Sequence, residues 1–306
     1  MSRVAYVNGR YVPHAQACVH IEDRGYQFSD GVYEVCEVRD GRLVDERRHL
    51  ERLMRSLTEL RMDMPMPLAS MRVVLRETIA RNRVRDGLVY LQVTRGVARR
   101  DHAFPPPGTH PSFVVTTRSA DRRKQEAAAE GGIAVVTVPD NRWERVDIKT
   151  VSLLPNVMAR QAAREQGARE AWFVDGEGMV TEGSSSNAWI VTEDGTIVTR
   201  PAEHGILRGI TRTVVLEVAA QQGLRVEARG FSVKEAKAAR EAFLTAASQI
   251  VMPVVAIDGA KVGNGAPGPV ARALRARFHE IAPAGRAPPA RVRRFRPSRR
   301  RWPPRA

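Results

Sequence analysis

The sequence predicts an α+β (mixed αβ) protein of two domains. Three observations lead there. At 306 residues the chain is longer than one small core requires. Alternating strand patterns and helical apolar stripes are interleaved along it rather than sorted into one class. A charged, alanine-rich stretch ending in Gly131-Gly132 then divides two such series. On this reading residues 1–118 form an N-terminal domain, 119–132 a connector, 133–282 a C-terminal domain and 283–306 a disordered Arg/Pro-rich tail.

In the first domain, Val4–Val7 and Arg10–Pro13 flank Asn8-Gly9, a dipeptide that favours the primed turns of tight hairpins. Asp30-Gly31 leads into the alternating strand Val32–Val38, which puts Tyr33 and Val35 on one face. A tyrosine there is ordinarily a core or rim residue; a site role is the alternative. Glu46–Met62 reads as a helix, because Leu50, Leu53, Met54, Leu57 and Leu60 recur at spacings of three and four. Arg52 falls off that stripe, so periodicity files it as solvated. A second helix, Leu68–Asn82, turns Met71, Val74, Leu75 and Ile79 inward, and Leu88–Thr94 and Ser112–Thr117 are strands. Between these strands, the loop Arg95–His110 carries Arg99, Arg100, His102 and three prolines. It can be plain surface. A proline-fixed, cation-rich loop also suits a carboxylate, since arginine offers a planar bidentate fork.

The second domain opens with the strand Ile133–Val138. A helix follows from about Asn156 to Gln166, with Gly167 as its stop. Glu170–Asp175, a glycine turn at 176–178 and the strand Asn187–Thr192 come next. Ile206–Thr211 precedes a helix that runs to Gln222 and is closed by Gly223. Free N–H groups and the Thr211 hydroxyl at that helix start make a phosphate seat; an ordinary threonine cap is the competing reading. Phe243–Ser248 is a strand end of small residues, and Pro253–Ile257 with Asp258-Gly259 gives a last hairpin.

Composition narrows the classes of function. Formal charge is +15, but Pro283–Ala306 holds nine arginines and no acid, so the rest of the chain carries about +6. The basic character therefore belongs to the tail, whose few apolar residues cannot build a core. Polyanion or nucleic-acid binding by the tail is a competing function, and for the folded part no nucleic-acid role is expected. No apolar run approaches a membrane span and the first residues lack a signal-peptide core, so a cytoplasmic protein without membrane contact is expected. Cys18 and Cys36 form no CxxC pair and neither neighbours a run of histidines, which gives no metal site.

Against this background one lysine stands out. Of 49 basic residues only five are lysines, at 124, 149, 234, 237 and 261. Only Lys149 is closely flanked by apolar residues, namely Ile148, Val151, Leu153 and Leu154. Burial favours the neutral amine, the form that attacks a carbonyl. From spacing alone the commoner reading is a lysine snorkelling from a strand end.

The motifs taken together settle the choice. Asp23-Arg24-Gly25 precedes Gly31-Val32-Tyr33-Glu34 and Gln92-Val93-Thr94-Arg95-Gly96. Asp147-Ile148-Lys149, Leu154-Pro155-Asn156, Thr181–Asn187, Leu207–Thr211 and Val251–Val254 follow in order. In this combination the chain, from about Ala5 to Phe278, resembles the class IV (fold type IV) pyridoxal-phosphate aminotransferases, and among them the D-amino-acid aminotransferases most. The resemblance implies two αβ domains with pyridoxal 5'-phosphate in the cleft between them. Lys149 would hold the cofactor as a Schiff base and then carry the proton between substrate Cα and cofactor. Glu182 would pair with the pyridine nitrogen and keep the ring electron-accepting. Phosphate contacts would come from Arg52, the Ile210-Thr211 turn and Ser248. Leu207 and Ser185-Ser186 would line the pocket, and Arg142 matches a family arginine near the cofactor. Tyr33, Arg100 and His102 match a trap for the substrate α-carboxylate, with the Arg100–His102 loop lent by the partner of a homodimer. The implied reaction is transamination between D-amino acids and 2-oxo acids, of the D-alanine plus 2-oxoglutarate type.

Three positions depart from the family pattern. Ser29 stands where glycine is common, Glu37 where the D-amino-acid enzymes carry lysine, and Ala246-Ala247-Ser248-Gln249 where they have more hydroxyls. The last leaves the phosphate contact at Ser248 open. Branched-chain and (R)-amine aminotransferases and aminodeoxychorismate lyase share the lysine and the glutamate, and are the alternatives within the fold.

Overall fold

Asn8 and Gly9 take positive φ, 43° and 91°, and their primed turn closes a hairpin of β1 (Val4–Val7) and β2 (Arg10–Pro13). The computed structural model describes residues 3–203 and 205–282, so the arginine-rich 283–306, expected as a disordered tail, lies outside the described residues. The short helix α1 (Arg24–Phe28) starts on Asp23, whose carboxylate accepts the Gly25 N–H, and ends on Ser29 at φ 56°. That left-handed turn suits glycine, which explains why serine is the unusual residue there. β3 (Gly31–Arg39), β4 (Arg42–Leu43), α2 (Glu46–Glu59), α3 (Leu68–Asn82), β5 (Gly87–Thr94) and β6 (Ser112–Ser119) complete the first domain. Its strands form an antiparallel six-stranded sheet in the order β2-β1-β6-β5-β3-β4. The apolar stripes of α2 and α3 pack onto one face of it, burying Leu50, Leu53, Leu57, Met71, Leu75 and Ile79 against Val32, Cys36, Leu91 and Val115.

The stretch read as a connector is a helix, α4 (Arg122–Gly131), capped by Asp121 and anchored by buried Ala129. The second domain then runs β7 (Ile133–Pro139), α5 (Leu154–Glu165), β8 (Glu170–Val174), β9 (Val180–Gly183), β10 (Asn187–Val191), β11 (Ile197–Thr199), α6 (Ile210–Gln221), β12 (Val226–Ala228), α7 (Val233–Lys237), β13 (Glu241–Ala246), β14 (Ile250–Ile257), β15 (Ala260–Lys261) and α8 (Pro269–Ile281). Among the described residues these strands form a mixed nine-stranded sheet, ordered β12-β11-β10-β13-β14-β7-β8-β9, with β15 on β14. Both of its faces are covered. Trp189 and Phe243 pack with Val214, Val218, Leu274 and Phe278 on one side, while Ile190, Leu244, Trp172 and Phe231 pack on the other. Alternate residues of a strand point to opposite faces, so a strand covered on both is apolar throughout and loses its alternation. β9, β11 and β12 carry no sequence signal of their own, being three or four residues long.

The domains meet along the segment between β7 and α5. The Tyr33 N–H donates to the Lys149 carbonyl at 3.0 Å, the Val151 N–H donates to Gly31 at 3.0 Å, and Ile148 packs into the core of the first domain. Glu37, the acid in a lysine position, holds His279 of α8 at 3.0 Å through both carboxylate oxygens. Among the described residues, no helix is long and apolar enough to cross a membrane.

Candidate active site

A cavity opens between the two domains, and Lys149 stands in it, half-buried, with its amine 4.2 Å from the centre of the Tyr33 ring. Among the described residues no carboxylate pairs with that amine. The Tyr33 ring is itself stacked on Tyr90 at 5.5 Å. β3 supplies Tyr33 and Val35 on the face that alternation predicts, and both line the cavity.

Glu34, between them, points the other way and is fully buried. Its carboxylate takes Nε of Arg52 at 2.6 Å, a second Arg52 nitrogen at 2.8 Å and His49 Nδ1 at 2.8 Å. Burial alone would raise the Glu34 pKa, but Arg52 and then His49 outweigh it and hold the carboxyl down at about 2. Arg52 is therefore not solvated, as its place off the leucine stripe suggested. His49, Arg52 and Ser56 form a second, polar stripe on α2, spaced three and four apart, that is turned inward. Arg52 spends three of its five N–H groups on Glu34 and the Arg208 carbonyl, which leaves one on each terminal nitrogen, in a residue that lines the cavity.

The same end of the cavity is lined by Gly209, Ile210 and Thr211 at the start of α6. Gly209 is the cap residue and no side chain bonds the free N–H groups there, so Thr211 is not a capping threonine. Gly209 cannot be larger: an added Cβ would lie 2.1 Å from Asn187 Oδ1. Ser248 and the two alanines before it also line the cavity, and among the described residues the Ser248 hydroxyl has no partner. A helix N-terminus, an arginine with N–H groups to spare and a free hydroxyl together suit a phosphate.

Glu182 on β9 lines the same cavity and is 5% exposed. It accepts from Arg142, from Asn187 Nδ2 at 3.1 Å and from the Leu207 N–H at 3.1 Å. Burial pushes its carboxyl above the usual range, against the pull of Arg142, its hydrogen bonds and the Lys149 charge. Arg142 is fixed in turn by Asp140 at 2.8 Å and lies over the Phe173 ring at 4.4 Å.

The serine run on the cavity wall depends on a residue that pattern reading passed over. Glu170 is fully buried and accepts from the hydroxyls of Ser184, Ser185 (3.0 Å) and Ser186 (3.2 Å), from the Ala171 N–H at 2.9 Å and from Arg160 at 3.0 Å. An acid opening an otherwise apolar run, Glu170-Ala171-Trp172-Phe173-Val174, was the available signal.

Lys149, Glu182, Arg52, Arg142, Tyr33, Leu207, Ile210, Thr211 and Ser248 are thus brought together, whereas Arg100 and His102 are not. Both are exposed and absent from the cavity wall of their own chain.

Comparison with known proteins gives this arrangement its class. The profile of the family described as amino-transferase class IV matches residues 31–257. The chain belongs to that family and is an aminotransferase. The D-alanine aminotransferase of Staphylococcus haemolyticus is 40% identical over 275 residues, 90% of this chain and 96% of that protein. The D-alanine aminotransferase of Bacillus licheniformis is 41% identical over 265 residues, 87% and 92% of the respective chains. Among solved structures, the branched-chain aminotransferase of the thermophilic archaeon Thermoproteus uzoniensis, with norvaline, superposes with a TM-score of 0.80 at 25% identity, over 92% of this chain and 95% of that one.

Proposed function

We propose that this protein transfers the amino group of D-amino acids to 2-oxo acids, of the D-alanine plus 2-oxoglutarate type, using pyridoxal 5'-phosphate held at Lys149. The observation that carries the reading is one cavity lined by Lys149, whose amine pairs with no carboxylate among the described residues, by the buried carboxyl of Glu182, and by an anion seat of Arg52 and the α6 N-terminus. This donor set fits the cofactor's three polar parts: aldehyde, ring nitrogen and phosphate. When bound, the cofactor supplies a carbonyl that an amine attacks and a ring that draws electrons from the substrate Cα.

The chain's own groups account for the rest. Lys149 would hold the cofactor and, with substrate in place, its Nζ would carry the proton from the substrate Cα to the cofactor. Glu182, whose proton affinity burial has raised, would pair with the ring nitrogen, and Arg142 holds that carboxyl in place. Arg52, Ile210, Thr211 and Ser248 would hold the phosphate, and Leu207 would line the cofactor pocket.

Tyr33 faces the α-carboxylate, with Arg100 and His102 completing its recognition from the partner of a homodimer. Two observations support the dimer: those two residues stand outside their own cavity, and apolar Ile21, Tyr26, Leu154, Val157 and Met158 are exposed. The greater identity to D-alanine aminotransferases than to the branched-chain structure favours D-amino acids over the branched-chain alternative.

The test is borohydride reduction of the loaded protein, followed by peptide mapping. Label on Lys149, and loss of transamination in Lys149→Ala, are expected. Label on Lys124 or Lys261 instead removes the assignment.

A further inference from the structure

We infer that Phe28 and Arg24 are positioning residues that set the Arg100–His102 loop for carboxylate binding, an inference that rests on the carboxylate role proposed for that loop. Residues 99–106 of that loop form no helix or strand and its two working side chains are exposed, so something else must order them. One aromatic ring does. The Arg100 guanidinium lies over Phe28 at 4.6 Å and the His102 ring is 5.4 Å from it. A single ring thus fixes the spacing of the two groups to which the carboxylate role is given. Between them, the Asp101 carbonyl accepts from Arg24 at 2.6 Å. Arg24 is 3% exposed, lies over the same ring at 4.8 Å, and gives its Nε to Asp30 at 2.8 Å. Asp30 in turn takes Arg95 at 2.7 and 3.0 Å, and Arg95 lies over Phe104 at 3.8 Å, the far end of the segment.

The bracket itself cannot shift. The Arg24 N–H donates to Gly96 at 2.9 Å and the Ala98 N–H to Glu22 at 3.3 Å. α1 sits so close to β5 that a Cβ at Gly25 would lie 2.2 Å from Thr94 Cγ2. Sequence spacing hides this arrangement, since the loop and its bracket lie more than seventy residues apart. Its function is pre-organisation: a guanidinium and an imidazole held at a set separation bind a carboxylate without ordering the loop anew.

The experiment uses the loaded, full-length enzyme and four variants: Phe28→Leu, Phe28→Tyr, Arg100→Ala and the Phe28→Leu/Arg100→Ala double variant. KM and kcat for D-alanine are measured, with the Kd of glutarate as a non-reacting dicarboxylate. Phe28→Leu should raise KM and the glutarate Kd about tenfold, with the effect in KM rather than kcat, while Phe28→Tyr restores most of it. In the Arg100→Ala background the Phe28→Leu change should lose most of its effect, because Phe28 acts through Arg100. A merely structural ring would instead give additive losses, and additivity overturns the inference. So does an unchanged KM in Phe28→Leu when Arg100→Ala is impaired. If Arg100→Ala is itself unimpaired, the carboxylate role of the loop falls, and the inference falls with it. Should Phe28→Leu not fold, Arg24→Lys, which keeps the charge and loses the fork to Asp30 and the Asp101 carbonyl, gives the same comparison.

Discussion

Replacing Glu34 by glutamine removes one negative charge at a fully buried point and leaves Arg52 and His49 facing an amide that can accept but also donates. The structure sets the size of the effect. The Glu34 carboxyl is held down at about 2 against an ordinary 4.5, and at about 1.4 kcal/mol per pKa unit this is worth about 3 kcal/mol at neutral pH. A depressed carboxyl gives stability that is fully present above its unfolded pKa and is lost as pH falls through the folded one. At about pH 3.5 roughly 2 kcal/mol of it remains, by the same linkage. The stability gap between wild type and Glu34→Gln should therefore shrink by about 1 kcal/mol between about pH 7 and about pH 3.5. Urea denaturation at both pH values, with the m-value held as a check on compactness, measures it. Because Glu34 also aims Arg52, the variant should bind pyridoxal 5'-phosphate more weakly at neutral pH. A gap that stays constant with pH refutes the reasoning: Glu34 would then titrate at its ordinary pKa, and the Arg52–His49 pairing would contribute nothing through charge.

Glu170→Ala orphans two buried hydroxyls, those of Ser184 and Ser186, and one buried amide, at roughly 1–3 kcal/mol each, so a loss of at least about 3 kcal/mol is expected in equilibrium unfolding. A change under about 1 kcal/mol would show that the hydroxyls rehydrate freely. Deleting Pro283 onward should leave activity and the affinity of the apo protein for pyridoxal 5'-phosphate unchanged, while polyanion binding, steep in salt, disappears. A clear drop in cofactor affinity on truncation would place the domain boundary further along the chain.

Much of this protein is legible in its sequence, and what is not fails for identifiable reasons. The hairpin at Asn8-Gly9, the stripes of α2 and α3 and the strand with Tyr33 beside Val35 follow from period and turn chemistry alone. Arg52 is misread because periodicity records only which face is apolar. It cannot see that a second face of the same helix is buried against a charge eighteen residues earlier. Glu34 carried its own warning, an acid on the face shared with Val32 and Cys36, and so needed a partner. Glu170 gathers groups from one, fourteen, fifteen and sixteen residues away, as well as from Arg160, and no local window joins them. The Phe28 ring under Arg100 and His102 is hidden for the same reason. β9, β11 and β12 are recruited by neighbours rather than by their own composition.

The segment that carries Lys149 belongs in sequence to the second half. Yet its carbonyl is held by Tyr33, its neighbour Ile148 fills the core of the first half, and Val151 pairs with Gly31. Neither half owns the Lys149 amine. Cut apart, the C-terminal half would keep the residue but lose the surroundings that fix it, so two fragments would recover the site only by reassembling. Any opening of the cleft must therefore carry residues 148–151 with the first half, or break the two backbone hydrogen bonds that hold them there.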